Sequence, residues 1–292
     1  MTASLRELFA RDEIVVAPGI YDGMTALLVE RAGFAAAYLS GASICYTRYA
    51  MPDIGLVGMS EVADQLAAIR ERASLPIIVD IDTGFGNALN VARTVRTFET
   101  IGASALQLED QVTPKRCGHL RDKAVIAAAE MVGKIKAALD VRRSREMLLI
   151  ARTDAAAVEG LDRALDRADA YAAAGADMVF VEAPPSQDAL RRIGAHFRGR
   201  VPAMANMVEG GKTPILPAAE LQALGFKLVI FPGGTVRALA HALSGYYESL
   251  RRHGTTDPWR DRMFDFNGLN DLLGTEGFLA RGKRYDAGEG TK

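Results

Sequence analysis

Short apolar runs, each preceded by an amphipathic stretch that closes on a glycine, recur along the chain. Arg31-Ala32-Gly33 leads to Ala35-Ala36-Ala37-Tyr38-Leu39, and Ile101-Gly102 to Ala105-Leu106-Gln107-Leu108. Ala174-Gly175 leads to Met178-Val179-Phe180-Val181, and Leu224-Gly225 to Leu228-Val229-Ile230-Phe231. Glycine just past a helix accepts the left-handed conformation that closes it. The runs that follow read as strands buried on both faces. Ile14 to Ala17, Pro76 to Val79, Met147 to Ile150 and Val201 to Ala205 supply the remaining strands. About eight strands alternating with helices predict an α/β fold, a parallel (β/α)8 barrel of the TIM type with right-handed crossovers. The alternative is an open doubly wound sheet, weakened because no glycine-rich dinucleotide fingerprint follows the first strand.

The barrel is expected over residues 1–253. From Gly254 the periodicity weakens: Asp257-Pro258-Trp259 marks a break and Phe264-Asp265-Phe266-Asn267 starts a last helical piece. Residues 254–285 are therefore expected to form a C-terminal helical extension. Residues 286–292, polar and glycine-rich, are expected to be a disordered tail.

Composition narrows the function. The chain has 292 residues, 49% of them apolar, and a net charge of −1, so it can build a large core and offers no basic face for nucleic acid. No apolar run reaches the roughly 20 residues that span a bilayer. Met1 to Asp12 is charged and lacks the apolar segment of a signal peptide, and there are only two cysteines. A cytoplasmic protein with reduced thiols is expected. Cys45, in the apolar context Ser43-Ile44-Cys45-Tyr46, reads as packing.

The chemistry stands where the strands stop. Pro18, Gly19 and Tyr21 follow the first strand and Ser40-Gly41-Ala42 the second. The third ends in Asp80-Ile81-Asp82-Thr83-Gly84-Phe85-Gly86 and the fourth in Glu109-Asp110. Arg152-Thr153-Asp154, Glu182, Asn206 and Pro232 end the last four. In a barrel these ends converge on one mouth. Asp80 and Asp82 are hard oxygen ligands, and without a histidine cluster they select Mg²⁺ or Mn²⁺, with Glu109 and Glu182 orienting the ion's waters. Arg152 is the natural fork for a substrate carboxylate. Ser40 and the N–H groups of Gly41 and Ala42 can hold it from the other side. Tyr38 and Tyr21 are candidate proton carriers. His119 is expected to touch substrate or to fix its loop. His196, His241 and His253 lie on helical stretches and read as structural or exposed. Gly210-Gly211-Lys212-Thr213-Pro214 lacks the spacing of a phosphate loop and reads as a mobile, glycine-hinged rim segment.

Lys115-Arg116-Cys117-Gly118-His119 is the most informative stretch. A thiol among two cations and an imidazole is expected to have its pKa drawn below the free value of about 8.5, so that Cys117 exchanges a proton near neutral pH.

Together these motifs resemble the isocitrate lyase and phosphoenolpyruvate mutase superfamily over nearly everything from Ala17 to about Leu273. Tyr38-Leu39-Ser40-Gly41, Asp80-x-Asp82-x-Gly84-x-Gly86, Leu108-Glu109-Asp110-Gln111, Lys115 to His119, Arg152-Thr153-Asp154 and Asn206 to Pro214 carry the resemblance. It implies a barrel that exchanges its last helix with a neighbour in a homotetramer, and an α-oxyacid chelated by Mg²⁺. It implies that Ser40, Gly41, Ala42 and Arg152 bind the pyruvate-like half, with Gly118, Glu182 and Asn206 joining the substrate-binding set. Asp80 and Asp82 serve the metal, and Cys117, on a closing loop from Lys115 to Lys123, is the general acid.

Within the superfamily, the carbon–carbon lyases carry the Cys-Gly-His loop and the phosphonopyruvate mutases and hydrolases lack it. The resemblance therefore implies cleavage of a 2-hydroxy or oxo dicarboxylate to pyruvate and a second acid. The chain is similar to 2-methylisocitrate lyases in Arg237, a further substrate-binding candidate. It departs from them in Gly210, where they carry an aromatic, and in Phe266, where they carry an arginine. One cation fewer favours a substrate with two carboxylates and an alkyl group, the 2,3-dimethylmalate lyase type. Burying an unpaired third carboxylate against an apolar ring costs several kcal/mol. Pro232, where the family's oxaloacetate hydrolases have serine, argues against hydrolysis. Two other readings stay open: phosphoenolpyruvate or phosphonate chemistry, which would survive Cys117→Ser, and a non-catalytic barrel.

Overall fold

The computed structural model describes residues 3–286, so the expected tail, apart from Asp286, lies outside the described residues. Eight parallel strands close on themselves in sequence order, β1 pairing with both β2 and β8. They are β1 Val15–Ile20, β2 Ala37–Leu39, β3 Ile77–Asp80, β4 Ala105–Glu109, β5 Leu148–Thr153, β6 Met178–Val181, β7 Ala203–Asn206 and β8 Leu228–Phe231. Closure removes both edges, so the open-sheet alternative falls. The eight apolar runs are the eight strands, with ends moved by a few residues.

Helices α1 Leu5–Phe9, α2 Gly23–Arg31, α3 Gly41–Tyr49, α4 Met59–Arg70, α5 Ala88–Ile101 and α6 Ala128–Val141 belong to the first half of the chain. Then come α7 Leu161–Ala173, α8 Gln187–Phe197, α9 Ala218–Leu224 and α10 Gly234–His253. Gly102 and Gly225 close α5 and α9 in the left-handed region, as the pattern predicts. Leu5 and Leu8 of α1 pack with the barrel interior.

The interior follows from the two-residue period of a strand. Ala17, Tyr38, Ile78, Ala105, Ile150, Phe180, Met204 and Ile230 form one buried cluster drawn from every strand. Their sequence neighbours Ile77, Val79, Leu106, Leu149, Val179, Ala203 and Val229 pack in other clusters, with helical residues such as Val95, Phe98 and Ile193. Two residues beyond the inward Tyr38, Ile78, Ile150, Phe180 and Met204 stand Ser40, Asp80, Arg152, Glu182 and Asn206. Gln107 and Glu109 continue the column that starts at Ala105. The polar residues at the barrel mouth thus prolong the inward columns.

The chain divides into two compact units, one up to Arg237 and one from Ala238 onward. The division falls inside α10, sixteen residues before the break expected after His253. In the second unit a 3-10 turn, Asp257–Arg262, places Trp259 against Tyr246. The last helical piece is two helices, α11 Phe266–Leu273 and α12 Thr275–Lys283, because Gly274 adopts φ 72° between them. Leu272 is buried, whereas Phe264, Phe266 and Leu279 are exposed.

Candidate active site

Asp80, Asp82 and Glu109 each place a carboxylate oxygen within 4.8 Å of the other two, and all three are buried. Asp80 is fixed by the Asp82 N–H at 3.1 Å and the Gln107 amide at 3.3 Å, and Gln107 in turn accepts from the Tyr38 hydroxyl at 2.7 Å. Asp82 sits at φ 45°, a left-handed conformation that aspartate tolerates better than most side chains. Gly84 follows at φ 83°, where a Cβ would come within 2.3 Å of Val91. The acidic turn therefore needs its glycine.

These residues fit a hard divalent cation. Glu109 Oε1 has no hydrogen-bond partner, and Asp82 Oδ1 meets only the Lys115 ammonium. Burial raises the affinity of all three carboxyls for protons, more than Lys115 and Arg152 lower it. Asp82 is pushed up to about 7. Glu109, expected to orient the ion's waters, lies in one cluster with the two aspartates. Glu182 belongs elsewhere: it accepts from the Asn206 amide at 3.2 Å and faces His119. Burial alone would raise Glu182, but Arg152 and His119 outweigh it and bring it down to about 2.

Two buried cations compensate the carboxylates. Lys115 turns inward, its ammonium 2.5 Å from Asp53 and 2.8 Å from Asp82. Arg152 reaches Asp154 through Nε at 2.8 Å and Glu109 through Nη1 at 3.2 Å. Ser40 caps α3, its hydroxyl accepting from the Ser43 N–H at 3.2 Å. A Cβ on Gly41 would lie 3.6 Å from Asp80 and 3.8 Å from Asp82. The first N–H groups of α3 thus open beside the acidic cluster, where a helix N-terminus receives an anion.

The loop carrying Cys117 folds over this mouth. The Cys117 N–H donates to the Asp53 carbonyl at 3.1 Å. His119 Nδ1 accepts from the Lys212 N–H at 3.0 Å, which leaves the proton on Nε2, 3.2 Å from Glu182. The Gly210 to Pro214 segment, expected as a mobile rim, is held in this way against the loop, with Thr213 buried.

The thiol departs from expectation. Cys117 is raised, not lowered: burial dominates, Asp53 and Glu182 add to it, and the His119 N–H and Arg152 only partly offset it. The sequence-adjacent cations point away, Lys115 to Asp53 and Asp82 and Arg116 to Asp122. Tyr38 is raised well above the usual phenol range by burial and donates to Gln107, so it is a fixed neutral donor rather than a base. Tyr21 is buried in the outer core and does not line the cavity. Cys45 is buried, its thiol on the Pro52 carbonyl.

A cavity of about 60 Å³ remains beneath the loop, lined by Ser40, Asp80, Cys117, Arg152, Asn206 and Arg237 among others. That holds a few waters but no six-carbon diacid, so substrate entry displaces the loop. Asp53 and Tyr46 also line it and were not singled out by sequence.

Gly118 sets how closely the loop seats. A Cβ there would stand 2.3 Å from Glu182 Oε1 and 2.6 Å from Arg152 Nη2. Both atoms are held, so the loop must lift. Gly118→Ala is expected to lower kcat on the order of 10- to 100-fold, the scale of a 1 Å misplacement. Steady-state kinetics checks this; unchanged kcat would mean that the loop does not seat this way during turnover.

The family model described as phosphoenolpyruvate phosphomutase matches residues 5–251. The chain belongs to this family. It is 44% identical over 274 residues to the 2,3-dimethylmalate lyase of Eubacterium barkeri, covering 94% of each chain. It is 46% identical over 277 residues to the 2-methylisocitrate lyase of Aeropyrum pernix, covering 95% of this chain and 88% of that one. Among solved structures it matches a phosphonopyruvate hydrolase in complex with oxalate and Mg²⁺ with a TM-score of 0.87 and 31% identity, over 96% of this chain and 97% of that one. No helix among the described residues is long and apolar enough to cross a membrane.

Proposed function

We propose that the chain is a carbon–carbon lyase that cleaves a 2-hydroxy alkylmalate to pyruvate and a second carboxylic acid, a substrate class that includes the one named in 2,3-dimethylmalate lyase. The observation that carries this is that Cys117 and Asp80 line one cavity, with Ser40 and Arg152 beside them. A proton donor facing an oxyacid-binding acidic cluster is what C–C cleavage needs and phosphoryl transfer does not.

Asp80, Asp82 and Glu109 would hold a divalent cation, Mg²⁺ by the hardness of its ligands, which supplies Lewis-acid polarisation of the substrate's 2-oxygen. Ser40, the N–H groups of Gly41 and Ala42, and Arg152 hold the adjacent carboxylate. The 2-hydroxyl proton leaves through water to a carboxylate of the mouth. The C2–C3 bond breaks, C2 becomes the keto carbon of pyruvate, and the bonding pair stays on C3 of the departing acid. Cys117 protonates that carbon. His119 and Asn206 hold Glu182, and the seated loop excludes water.

Val208, Ile230 and Pro232 form an apolar wall of the cavity that suits an alkyl group. One observation favours 2-methylisocitrate as the alternative: Arg237, paired with Glu209 at 3.1 Å, lines the cavity and could be turned to a third carboxylate. A Mg²⁺ assay of pyruvate release from dimethylmalate, methylisocitrate, isocitrate and oxaloacetate decides. Dimethylmalate is expected to lead methylisocitrate in kcat/KM by about tenfold or more, the scale set by one mispaired group. The reverse order would install the alternative, and release from neither would sink the lyase.

The exposed apolar side chains of the second unit, Phe264, Phe266, Leu269 and Leu279, are covered in this proposal by neighbouring copies in a helix-exchanged tetramer. A monomer by light scattering would refute that. Both cysteines are free, which suits the cytoplasmic placement we propose.

A further inference from the structure

Lys123 lies at the far end of the loop, and its side chain is 1% exposed. Its ammonium donates to the Gly118 carbonyl at 2.5 Å and to Asp154 Oδ1 at 2.6 Å. Asp154, fully buried, also takes the Arg152 guanidinium through Nε at 2.8 Å and Nη2 at 3.1 Å. Asp154 is in turn fixed from behind. Asp110 accepts from its N–H at 2.9 Å and from the Thr153 and Tyr171 hydroxyls at 2.7 Å. One carboxylate of the barrel wall therefore holds both the cation aimed at the substrate carboxylate and the cation that grips the peptide next to Cys117.

We propose that Lys123 and Asp154 are positioning residues, a buried latch that seats the Cys117 turn over the mouth in register with Arg152. This rests on Cys117 being the proton donor. The loop's other buried charged tie, Lys115 with Asp53 and Asp82, lies at its near end, before Cys117, and joins the acidic cluster. Arg116 pairs with an exposed Asp122, and His119, beyond Cys117, meets the Lys212 N–H and Glu182 without an ammonium of its own. The latch is instead a charged pair with both side chains out of water, where losing one partner leaves the other uncompensated. It has to break for substrate to enter and re-form for turnover. Asp154 does not lose its partner when it breaks, because Arg152 remains. Opening therefore strands only the lysine, which the outgoing loop carries to water.

The test is the rate at which iodoacetamide alkylates each cysteine of the full-length protein, read by peptide mass, with Cys45 as internal control. Cys45 is 1% exposed in the core and reports general loosening. In Lys123→Met, Cys117 is expected to react about tenfold faster or more while Cys45 is unchanged, as local opening requires. kcat for the best acid is expected to fall by about the same factor. Equal rates in wild type and variant, or both cysteines accelerated together, would overturn the latch. Lys123→Gln, which keeps a donor for Gly118 but no charge, gives the same comparison if the methionine variant does not fold. If wild type cleaves none of the acids, the lyase proposal falls while the alkylation ratio still decides the latch.

Discussion

Cys117→Ser is expected to reduce kcat for cleavage by about 10²- to 10⁴-fold, the range of a lost general acid. Serine preserves the shape of the turn and its N–H bond to the Asp53 carbonyl, so oxalate, as a pyruvate-like probe, should bind with unchanged affinity. The loss should be in chemistry because a hydroxyl gives up its proton far less readily than a thiol. The direction of the thiol's shift adds a second signature. Burial pushes Cys117 up, so it stays protonated and able to donate through neutral pH. Wild-type activity should fall on the alkaline side, above the ordinary cysteine value of about 8.5, and the variant should lack that limb. Steady-state pH profiles of both proteins check this. Full turnover by the serine variant would instead favour phosphonate-type chemistry, in which no carbon needs a proton.

The barrel was legible because its signal is local and repeated. Each strand is a short apolar run, and several of the helices between them close on a glycine that geometry demands. The mouth was legible for a related reason. Asp80, Arg152, Glu182 and Asn206 stand two residues past an inward apolar side chain, so strand alternation alone aims them at the barrel axis. What sequence did not disclose lies in side-chain direction on loops. Lys115 and Arg116 flank Cys117 in sequence, and their charges were expected to lower the thiol. In space Lys115 turns into the acidic cluster and Arg116 out to Asp122, so burial decides the sign instead. Asp53 and Lys123 were missed for the same reason. Their partners are 62 and 31 residues away, and neither separation has a period to betray it. The division after Arg237 has no mark in the sequence, because α10 runs continuously through it and an unbroken helical pattern does not show where packing stops.

Removing the divalent cation with a chelator is expected to cut turnover by about 10³-fold or more, several kcal/mol of transition-state stabilisation. It should also give a pH dependence of stability opposite to that of carboxylates held ionised by ion pairs. Metal-free, Asp82 holds its proton up to about 7, and Asp80 and Glu109 are shifted the same way. In the unfolded chain aspartate ionises near 3.9. Between about pH 4 and pH 7 the folded state therefore binds more protons than the unfolded one, so stability falls as pH rises across that window. Below pH 4 this contribution is fully present; above the folded value it is gone. The cation needs ionised ligands, so its binding expels those protons and tightens as pH rises through about 7. Melting curves at pH 5.5 and pH 8, with and without saturating Mg²⁺, separate the two states. The metal-free protein should melt lower at pH 8, and the gain from Mg²⁺ should be larger there. A gain independent of pH would mean that the Lys115 ammonium already keeps the cluster ionised, since no proton would then remain for the metal to displace.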